Sequence, residues 1–513
     1  MRYRIYRHLR AVAAADASTG PSPKRPEMTW KDHLVMLLHI GAEIEHSLMV
    51  QYLYAAYSLG GEQVPPRHRN RVRRWQASIL AVAKEEMGHF LTVQNILTLI
   101  GAPINLNRED LPWDVPFYPF PFRLEPLSME SVACYVFAEM PSEKELAAAD
   151  DENPGQKLPR QYLTFVKKDL PRIKQLVKRR TSTRKPHRVG DLYDEIIKLI
   201  EDKERIPDSV FQEHTFAVQA SSDDWGRGYQ PDPRPVDAGG SLKPPDEPTT
   251  DNRRANVMIN RIASRSQAIA ALKALSLQGE APLIAARKAD ELSHFDRFLE
   301  IYHGFEEIEG KGNGRTKDRA KAKAKLWRPA RRVPINPTTL NDPAASDGAG
   351  FIEATQSREW ASLFNLRYRL LLRYLAHTFR LARVTRADTP NLRAMVMHRV
   401  FGEMYNLKTI AGILMRSPLR DAAPGAKVAA DAACAGPPFE MPYTLNLSTV
   451  ETDIWIFHRD LLGSSQRICK TLLSHPDAED RAYLTALFDL DSQARTWIDQ
   501  ILVGLAPTER PFE

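Results

Sequence analysis

Apolar residues recur at spacings of three and four along most of the chain, which is the pattern of amphipathic helices. In the first half, this pattern predicts two long helices over residues 31–59 and 70–101. Thr29 is placed to cap the first helix, and Gly60-Gly61 is placed to end it. Shorter helical segments follow at 129–140, 190–203, 253–279 and 283–305. No segment shows convincing strand alternation, so we predict an all-α fold.

The second half repeats the helical pattern after a break in composition. Residues 310–358 are first basic and then rich in proline, aspartate and glycine, which is typical of a linker. Four further amphipathic segments follow, at 359–386, 391–416, 449–474 and 478–504. We therefore predict a first domain over 1–309 with long inserts, a linker over 310–358, and a second helical bundle over 359–513.

Composition narrows the class of protein. The 513 residues are 43% hydrophobic and 26% charged, which is ordinary for a globular protein. There is no apolar run of the ~18 residues that a membrane helix needs. The basic N-terminus lacks the apolar core of a secretory signal, and the three cysteines are scattered without a CxxC pair. We therefore expect a cytoplasmic protein without a membrane partner.

The net charge of +7 is concentrated in the basic part of the predicted linker, residues 310–333. Basic segments of this kind can bind nucleic acid. This one contains a single aromatic residue, Trp327, so it lacks the interleaved stacking side chains of many such sites. We interpret it as a solvated linker and expect no nucleic-acid partner.

Two copies of Glu-x-x-His-Phe carry the main chemical signal. Glu86 and His89 form the first copy, and Glu291 and His294 form the second, 205 positions downstream. Residues three apart lie on one helical face, so each pair can bind one metal ion. Di-iron carboxylate bundles use Glu-x-x-His on two helices and a single Glu on each of the other two. The recurrence therefore predicts two halves of one metal site.

Helical faces indicate which glutamates point inward. Glu86 shares its face with apolar residues such as Ile79 and Phe90, whereas Glu85 lies on another face. Glu45 likewise follows an apolar stripe of the first helix. Because an unpaired carboxylate in an apolar core is costly, each of the two inward glutamates requires a compensating cation. We predict both as metal ligands.

Two residues compete for the remaining carboxylate position. Glu280 follows the helix 253–279 and lies eleven residues before Glu291. Glu139 ends the apolar face of the helix 129–140. We favour Glu280 as the fourth-helix ligand and leave open that Glu139 replaces it or binds as well.

The donor set favours iron. Carboxylates and imidazoles without thiolates suit iron or manganese better than structural zinc or copper(I), so we predict a dinuclear iron site with manganese as the alternative. Tyr52 lies two turns along the Glu45 stripe and is predicted to be catalytic. Asp290 and Arg297 are candidates for orienting a ligand.

The order of motifs resembles that of a known family. GAEIEHSLMVQYLYAAYSL, KEEMGHFLTVQNILTLIGAP, FAEMP, LYDEI, QGE and ELSHFDRF are similar to the ferritin-like domain of iminophenyl-pyruvate dimer synthases, the chromopyrrolate-synthase-type enzymes of bisindole pathways. The resemblance covers about 32–305, and more weakly 390–450. It implies a ferritin-like four-helix bundle with iron. The positions that match the family's ligands are Glu45, Glu86, His89, Glu139, Glu280, Glu291 and His294.

The resemblance also implies a reaction, in which two imines of an aromatic 2-oxo acid are oxidatively joined in natural-product biosynthesis. Some members of the family contain haem. This chain is shorter than bisindole-coupling members and has no CxxCH motif. A haem with a single axial histidine stays open, and the candidates in the second bundle are His377, His398 and His458.

We therefore predict a non-haem iron oxidoreductase that acts on a small, aromatic amino-acid-derived molecule. Loops 111–123 and 221–252 are candidate lids over its site. Two alternatives are an iron-handling or peroxide-consuming ferritin relative without an organic substrate, and a non-catalytic interaction protein. The second bundle repeats no Glu-x-x-His, so we predict a packing role for it and a homodimer through its surface.

Overall fold

The computed structural model divides the chain into two compact units, Met1–Arg331 and Arg332–Glu513. The sequence-based domain boundaries, 309 and 358, lie on either side of this division. The residues that the structure describes are 28–115, 117–141, 164–178, 180, 189–211, 216–225, 229–230, 257–259, 261–279, 293–309, 327–341, 350–382, 391–421, 432–442, 445–475 and 480–505.

The first unit is helical. Its helices are α1 (Trp30–Ser58), α2 (Arg69–Leu99), α3 (Met129–Glu139), α4 (Leu170–Val177), α5 (Val189–Glu201), α6 (Ser222–Trp225), α7 (Arg265–Gly279) and α8 (His294–Glu309). Short 3-10 turns occur at Pro66–His68, Asp208–Phe211 and Phe216–Val218, and a π-helical turn at Phe165–Asp169 leads into α4. Helix α1 packs along α2, and α3 packs along α8 and α4. Helix α5 packs against both α1 and α7.

The predicted ends of α1 are confirmed. The Thr29 side chain accepts a hydrogen bond from the backbone N–H of Asp32, which satisfies one of the unpaired donors at the helix start. After Leu59, the glycines Gly60 and Gly61 adopt φ of 91° and 111°, a backbone conformation that side chains with a Cβ disfavour. The chain therefore turns there and enters α2, which places α1 and α2 side by side.

The predicted helix over 253–279 is wrong in its first part. Residues Val257–Met258 form strand β2, which pairs in parallel with strand β1, Tyr229–Gln230. The Gln219 side chain bonds both the N–H and the C=O of Ile262, which holds this segment outside a helix. Helix α7 begins only after Ser264, whose hydroxyl accepts from the N–H of Gln267 at 3.3 Å.

The strand lies directly on α2. A Cβ placed on Gly88 would lie 3.0 Å from the carbonyl oxygen of Met258 and 3.1 Å from Val257 Cγ1. Such contacts are tighter than ordinary packing, so the absence of a side chain at Gly88 lets the strand approach. This close approach occurs one residue before His89.

The second unit also contains a helical bundle. Its helices are α9 (Thr355–Thr378), α10 (Leu392–Leu414), α11 (Glu451–Ser474) and α12 (Arg481–Leu505), and they pack in the pairs α9–α10, α11–α12 and α9–α11. Arg367, at the middle of this bundle, is 1% exposed and contacts Glu403 at 3.0 Å, Asp491, and Ser465 Oγ at 2.7 Å. None of the described helices of either unit combines the length and apolar composition that a membrane crossing requires.

Candidate metal centre

Five predicted ligands come together inside the first unit. Glu45 lies midway along α1, and Glu86 and His89 lie in the buried second half of α2. Glu139 is the last residue of α3, and His294 is the first residue of α8. None of the five is more than 7% exposed. The fold therefore gathers carboxylates and imidazoles from four helices at one buried point.

Glu86 lies at the centre of this group. Its Oε2 is 2.9 Å from His89 Nδ1, and its Oε1 is 3.1 Å from His294 Nδ1. Glu45 Oε2 lies 3.5 Å from His89 Nδ1, and Glu139 Oε2 lies 3.7 Å from His294 Nδ1. The five residues thus form two triads, each with its donor atoms within 4.8 Å of one another, and Glu86 belongs to both.

The outer nitrogens of the two imidazoles are held by other side chains. His294 Nε2 lies 2.9 Å from Glu85 Oε2, and Arg297 donates two hydrogen bonds to the Glu85 carboxylate, at 2.9 and 3.1 Å. His89 Nε2 lies 3.0 Å from Gln278 Oε1. Histidines that bind metals are oriented in this way, with one ring nitrogen bound to an acceptor. Both rings therefore present Nδ1 to the centre.

Two tyrosines orient the outer carboxylates. The Tyr52 hydroxyl donates to Glu139 Oε1, and the Tyr193 hydroxyl donates to Glu45 Oε1. The second oxygen of each glutamate is left for the centre. Among the described residues, Glu45 Oε2 and His294 Nδ1 are buried and complete no hydrogen bond, although each lies within 3.5 Å of an atom of an oppositely charged group. Buried polar atoms are rarely left unpaired, so donors of this kind that converge on one point fit a metal ion.

The buried charges of this group act strongly on one another. Burial raises the pKa of Glu45 to about 7, with the charge of Glu86 adding to this effect and His89 opposing it. Burial lowers the pKa of His89, but Glu86 and Glu45 outweigh it and raise that pKa to about 10. Burial likewise disfavours the charged forms of Glu86 and His294, but the attraction between their charges outweighs burial. The pKa of Glu86 is therefore lowered below its usual range, and the pKa of His294 is raised above its usual range. Protons on the imidazoles thus compensate the negative charges of the buried carboxylates.

A cavity opens on the group. It encloses about 400 Å³ of empty space, part of it open solvent, and the carboxylates of Glu45, Glu86 and Glu139 line it together with His89. Its other walls include Tyr118 from the predicted lid loop 111–123. The remaining lining residues are Leu48, Ala138, Val189, Gly190, Tyr193, Leu275, Ser276 and Gly279. The three carboxylates therefore face a cavity that has an aromatic residue in its wall.

Two predicted ligands, Glu280 and Glu291, lie outside the described residues, as does Asp290. The last residue of α7, Gly279, lies against the centre, since a Cβ placed there would be 3.4 Å from Glu139 Oε2 and 3.9 Å from His294 Nδ1. Glu139 lies beside Glu86 and His294, and its role as a metal ligand, like that of Glu280, stays a prediction. Most of the other candidate lid, 221–252, also lies outside the described residues.

Three residues of the site are not identified from the sequence alone. Glu85 is 1% exposed and bonds His294 and Arg297, although the apolar stripe of α2 places it on another face from Glu86. Tyr193 and Gln278 reach the centre from α5 and α7, which carry no part of the Glu-x-x-His pattern. The only sequence signal for Glu85 is its adjacency to Glu86 in a segment rich in apolar residues.

The candidate haem histidines lie in the second unit. His377 and His458 are completely buried, and His458 Nε2 lies 3.2 Å from His377 Nδ1. The other nitrogen of His377 is 2.7 Å from Glu451 Oε1, so both nitrogens of His377 are engaged by protein groups. His398 is exposed on α10. A haem ligand among these residues stays a prediction.

Comparisons with known proteins agree with this arrangement. A family model described as Ferritin-like matches residues 38–303, which include all five clustered residues. The chain is 34% identical over 132 residues to dichlorochromopyrrolate synthase of Lentzea aerocolonigenes, a match that covers 21% of this chain and 13% of that protein. It is 29% identical over 162 residues to 2-imino-3-(indol-3-yl)propanoate dimerase of Chromobacterium violaceum, covering 26% and 15%. The matches thus span less than a sixth of either relative.

A solved structure is also similar. The crystal structure of a ferritin-like protein from Caulobacter vibrioides aligns with 75% of this chain and 98% of its own, at 14% identity and a TM-score of 0.34. A likeness this distant carries no argument about activity.

Proposed function

The chain belongs to the ferritin-like family, and from this premise we propose that its buried centre holds two iron ions and carries out an oxidative reaction on a small aromatic molecule. One observation carries the proposal. The two oxygens of Glu86 face two different imidazoles, at 2.9 and 3.1 Å, and each imidazole has its own outer carboxylate. A carboxylate shared by two triads suits two neighbouring metal ions, as in the di-iron carboxylate bundles.

The residues divide naturally between the two ions. Glu45 and His89 would hold one ion, Glu139 and His294 would hold the other, and Glu86 would bridge them. All donors are carboxylate oxygens or imidazole nitrogens, which suit iron or manganese. The second Glu-x-x-His copy also contains Glu291, and we propose that Glu291 is a further metal ligand. When bound, such a pair of ions supplies the redox chemistry that amino-acid side chains lack.

The surrounding side chains would position the centre and exclude water. Tyr52 acts through its hydrogen bond to Glu139, which favours a positioning role over the catalytic role predicted for it. Tyr193 fixes Glu45 in the same way. Glu85 and Arg297 hold the His294 ring so that Nδ1 faces inward. Tyr118, whose hydroxyl accepts from Gln51 Nε2 at 3.1 Å, would be the aromatic wall that contacts substrate.

We further propose that the substrate is an aromatic 2-imino acid and that two molecules are joined. The two named relatives are a synthase and a dimerase, and the printed name of the second describes an imine of an indole-bearing acid. Joining two such molecules by one new bond removes two electrons and two protons. Dioxygen or peroxide would accept them. The apolar walls formed by Leu48 and Leu275, beside Tyr118, suit an aromatic side chain.

Metal content and turnover test this proposal in sequence. Protein purified without added metal, then reconstituted with Fe(II), should hold about two iron ions per chain. Glu86→Ala and His294→Ala should lose them, whereas Glu307→Gln, an exposed change on α8, should keep them. Reconstituted protein should then consume an aromatic 2-imino acid with dioxygen or peroxide and yield a product of twice the mass less two hydrogens.

Each contrary result has a defined meaning. A chain that takes up neither iron nor manganese would disprove the metal centre and favour a non-catalytic interaction protein. Iron uptake and peroxide consumption without conversion of any 2-imino acid would favour the iron-handling alternative. A Soret band in the absorption spectrum would show that haem takes part.

A further inference from the structure

A second group of metal-ligating side chains lies away from the centre. Asp169 ends the π-helical turn Phe165–Asp169, and His303 and Glu306 lie three apart on α8. His303 Nε2 is 3.0 Å from Asp169 Oδ2, and one donor atom from each of the three residues lies within 4.8 Å of the others. His303 follows His294 by nine residues on the same helix, or about 13 Å along its axis. This group is therefore distinct from the Glu86 centre.

One oxygen of the buried Asp169 carboxylate makes no hydrogen bond among the described residues. Asp169 is 2% exposed, and among the described residues its Oδ1 is buried without a hydrogen bond. A buried polar oxygen in this state is unfavourable unless a cation or a hydrogen-bond donor reaches it. The π-helical turn that places the residue is itself uncommon and is often found at functional sites.

The neighbouring groups leave one side of the cluster open. Glu306 is 6% exposed and receives a hydrogen bond from Arg172 Nη1 at 2.5 Å. The His303 side chain is 44% exposed, so solvent and small ions reach its imidazole. Because His303 and Glu306 share a helical face, both can point at one ion together with Asp169.

We propose that Asp169, His303 and Glu306 bind one divalent transition-metal ion. Two carboxylates and one imidazole with open positions suit Zn²⁺, Mn²⁺ or Fe²⁺. The ion would join the π-helical turn before α4 to α8, the helix that begins at His294. This site does not depend on the proposed oxidative function, because its three residues belong to neither of the triads around Glu86.

The competing explanation is two separate pairs, Asp169 with His303 and Glu306 with Arg172, and no metal. Counting bound ions separates the two. Metal-free full-length protein is titrated with Mn²⁺, and free Mn²⁺ is measured by electron paramagnetic resonance. Asp169→Asn and His303→Gln should each bind one ion fewer than the unaltered chain. Glu307→Gln is the matched control, since it removes a neighbouring exposed carboxylate that pairs with Arg71 at 2.9 Å.

The same titration keeps the two proposals distinct. If the Glu86 centre bound no metal, the unaltered chain would still bind one ion that His303→Gln abolishes. If the proposal for His303 is wrong, the variants at Asp169 and His303 will bind as many ions as the unaltered chain. That outcome would overturn the second site and leave the bundle centre untouched.

A measurement on the unaltered chain guards against variants that fold poorly. Diethyl pyrocarbonate modifies accessible imidazoles, and peptide mass mapping reports each histidine separately. Saturating Zn²⁺ should slow the modification of His303 at least tenfold, because a bound ion occupies the imidazole. His398, which is exposed in the second unit, should react at an unchanged rate. Equal rates for His303 with and without Zn²⁺ would overturn the proposal.

Discussion

Replacing Glu86 by glutamine is the sharpest perturbation of the centre. The change keeps the shape of the side chain and removes its charge, so packing in α2 is preserved. Both oxygens of Glu86 face an imidazole nitrogen within 3.1 Å, and no other described residue belongs to both triads. The substitution should therefore weaken both metal positions together, whereas the loss of an outer carboxylate should weaken one.

The expected magnitude follows from the contacts. Loss of a residue that only orients a ligand typically costs ~10–100-fold in metal affinity, and loss of a ligand costs more. Glu86→Gln should thus lower the affinity of each position by at least about 100-fold. In the metal-free protein the substitution also removes the carboxylate between His89 and His294. Breaking a buried pair in this way should reduce the free energy of unfolding by roughly 3–5 kcal/mol.

Glu85→Gln is the matched control. It changes the adjacent residue of the same helix, with the same loss of charge and a similar exposure of 1% against 2%. Because Glu85 contacts the outer nitrogen of His294, this variant should lose affinity at one position only, by ~10–100-fold. Bound iron is counted by mass spectrometry after dialysis at graded Fe(II) concentrations. Two tightly bound ions in Glu86→Gln would refute the bridging role.

Three further outcomes follow from particular contacts. Tyr52→Phe removes the donor to Glu139 and should lower iron affinity ~10–100-fold at one position without loss of fold, as measured by the same dialysis. Because the folded-state pKa of His89 is raised from 6.5 to about 10, its stabilisation of the metal-free protein is complete below pH 6.5. That stabilisation is lost as the pH rises to about 10, so the melting temperature should fall between pH 6.5 and about 10. The fall should be smaller in His89→Gln. In the second unit, Arg367→Met leaves the carboxylates of Glu403 and Asp491 buried without their cation. Urea unfolding should show that the free energy of unfolding falls by roughly 3–5 kcal/mol.

The part of the site that lies on one helix could be predicted from the sequence. Glu86 and His89 are three apart, so the helical repeat alone places them on one face. Glu45 could be chosen because its stripe of apolar neighbours shows which side of α1 faces inward. These inferences are local, and the helical fold class that they require is confirmed by the structure.

Residues that depend on tertiary packing could not be chosen in this way. An apolar stripe identifies an inward face only when the opposite face meets solvent. Every residue of α2 from Glu85 to Leu97 is buried, because β2 covers the helix at Gly88 and other helices cover the remaining sides. Glu85 is therefore as deeply buried as Glu86, and its role follows from the position of α8. The strand at Val257–Met258 is missed for a different reason, since two residues are too few to show a periodicity.

The charges of the described centre allow protons to occupy the positions that we propose for metal ions. Glu45, Glu85, Glu86 and Glu139 are buried together, and two histidines and Arg297 face them. Without metal, the carboxylates stabilise protons on the imidazoles, which is why the pKa of His89 rises to about 10. A histidine that binds a metal through Nδ1 must give up the proton on that atom. The fold can therefore form before any ion binds, and in the proposed function metal ions would replace these protons.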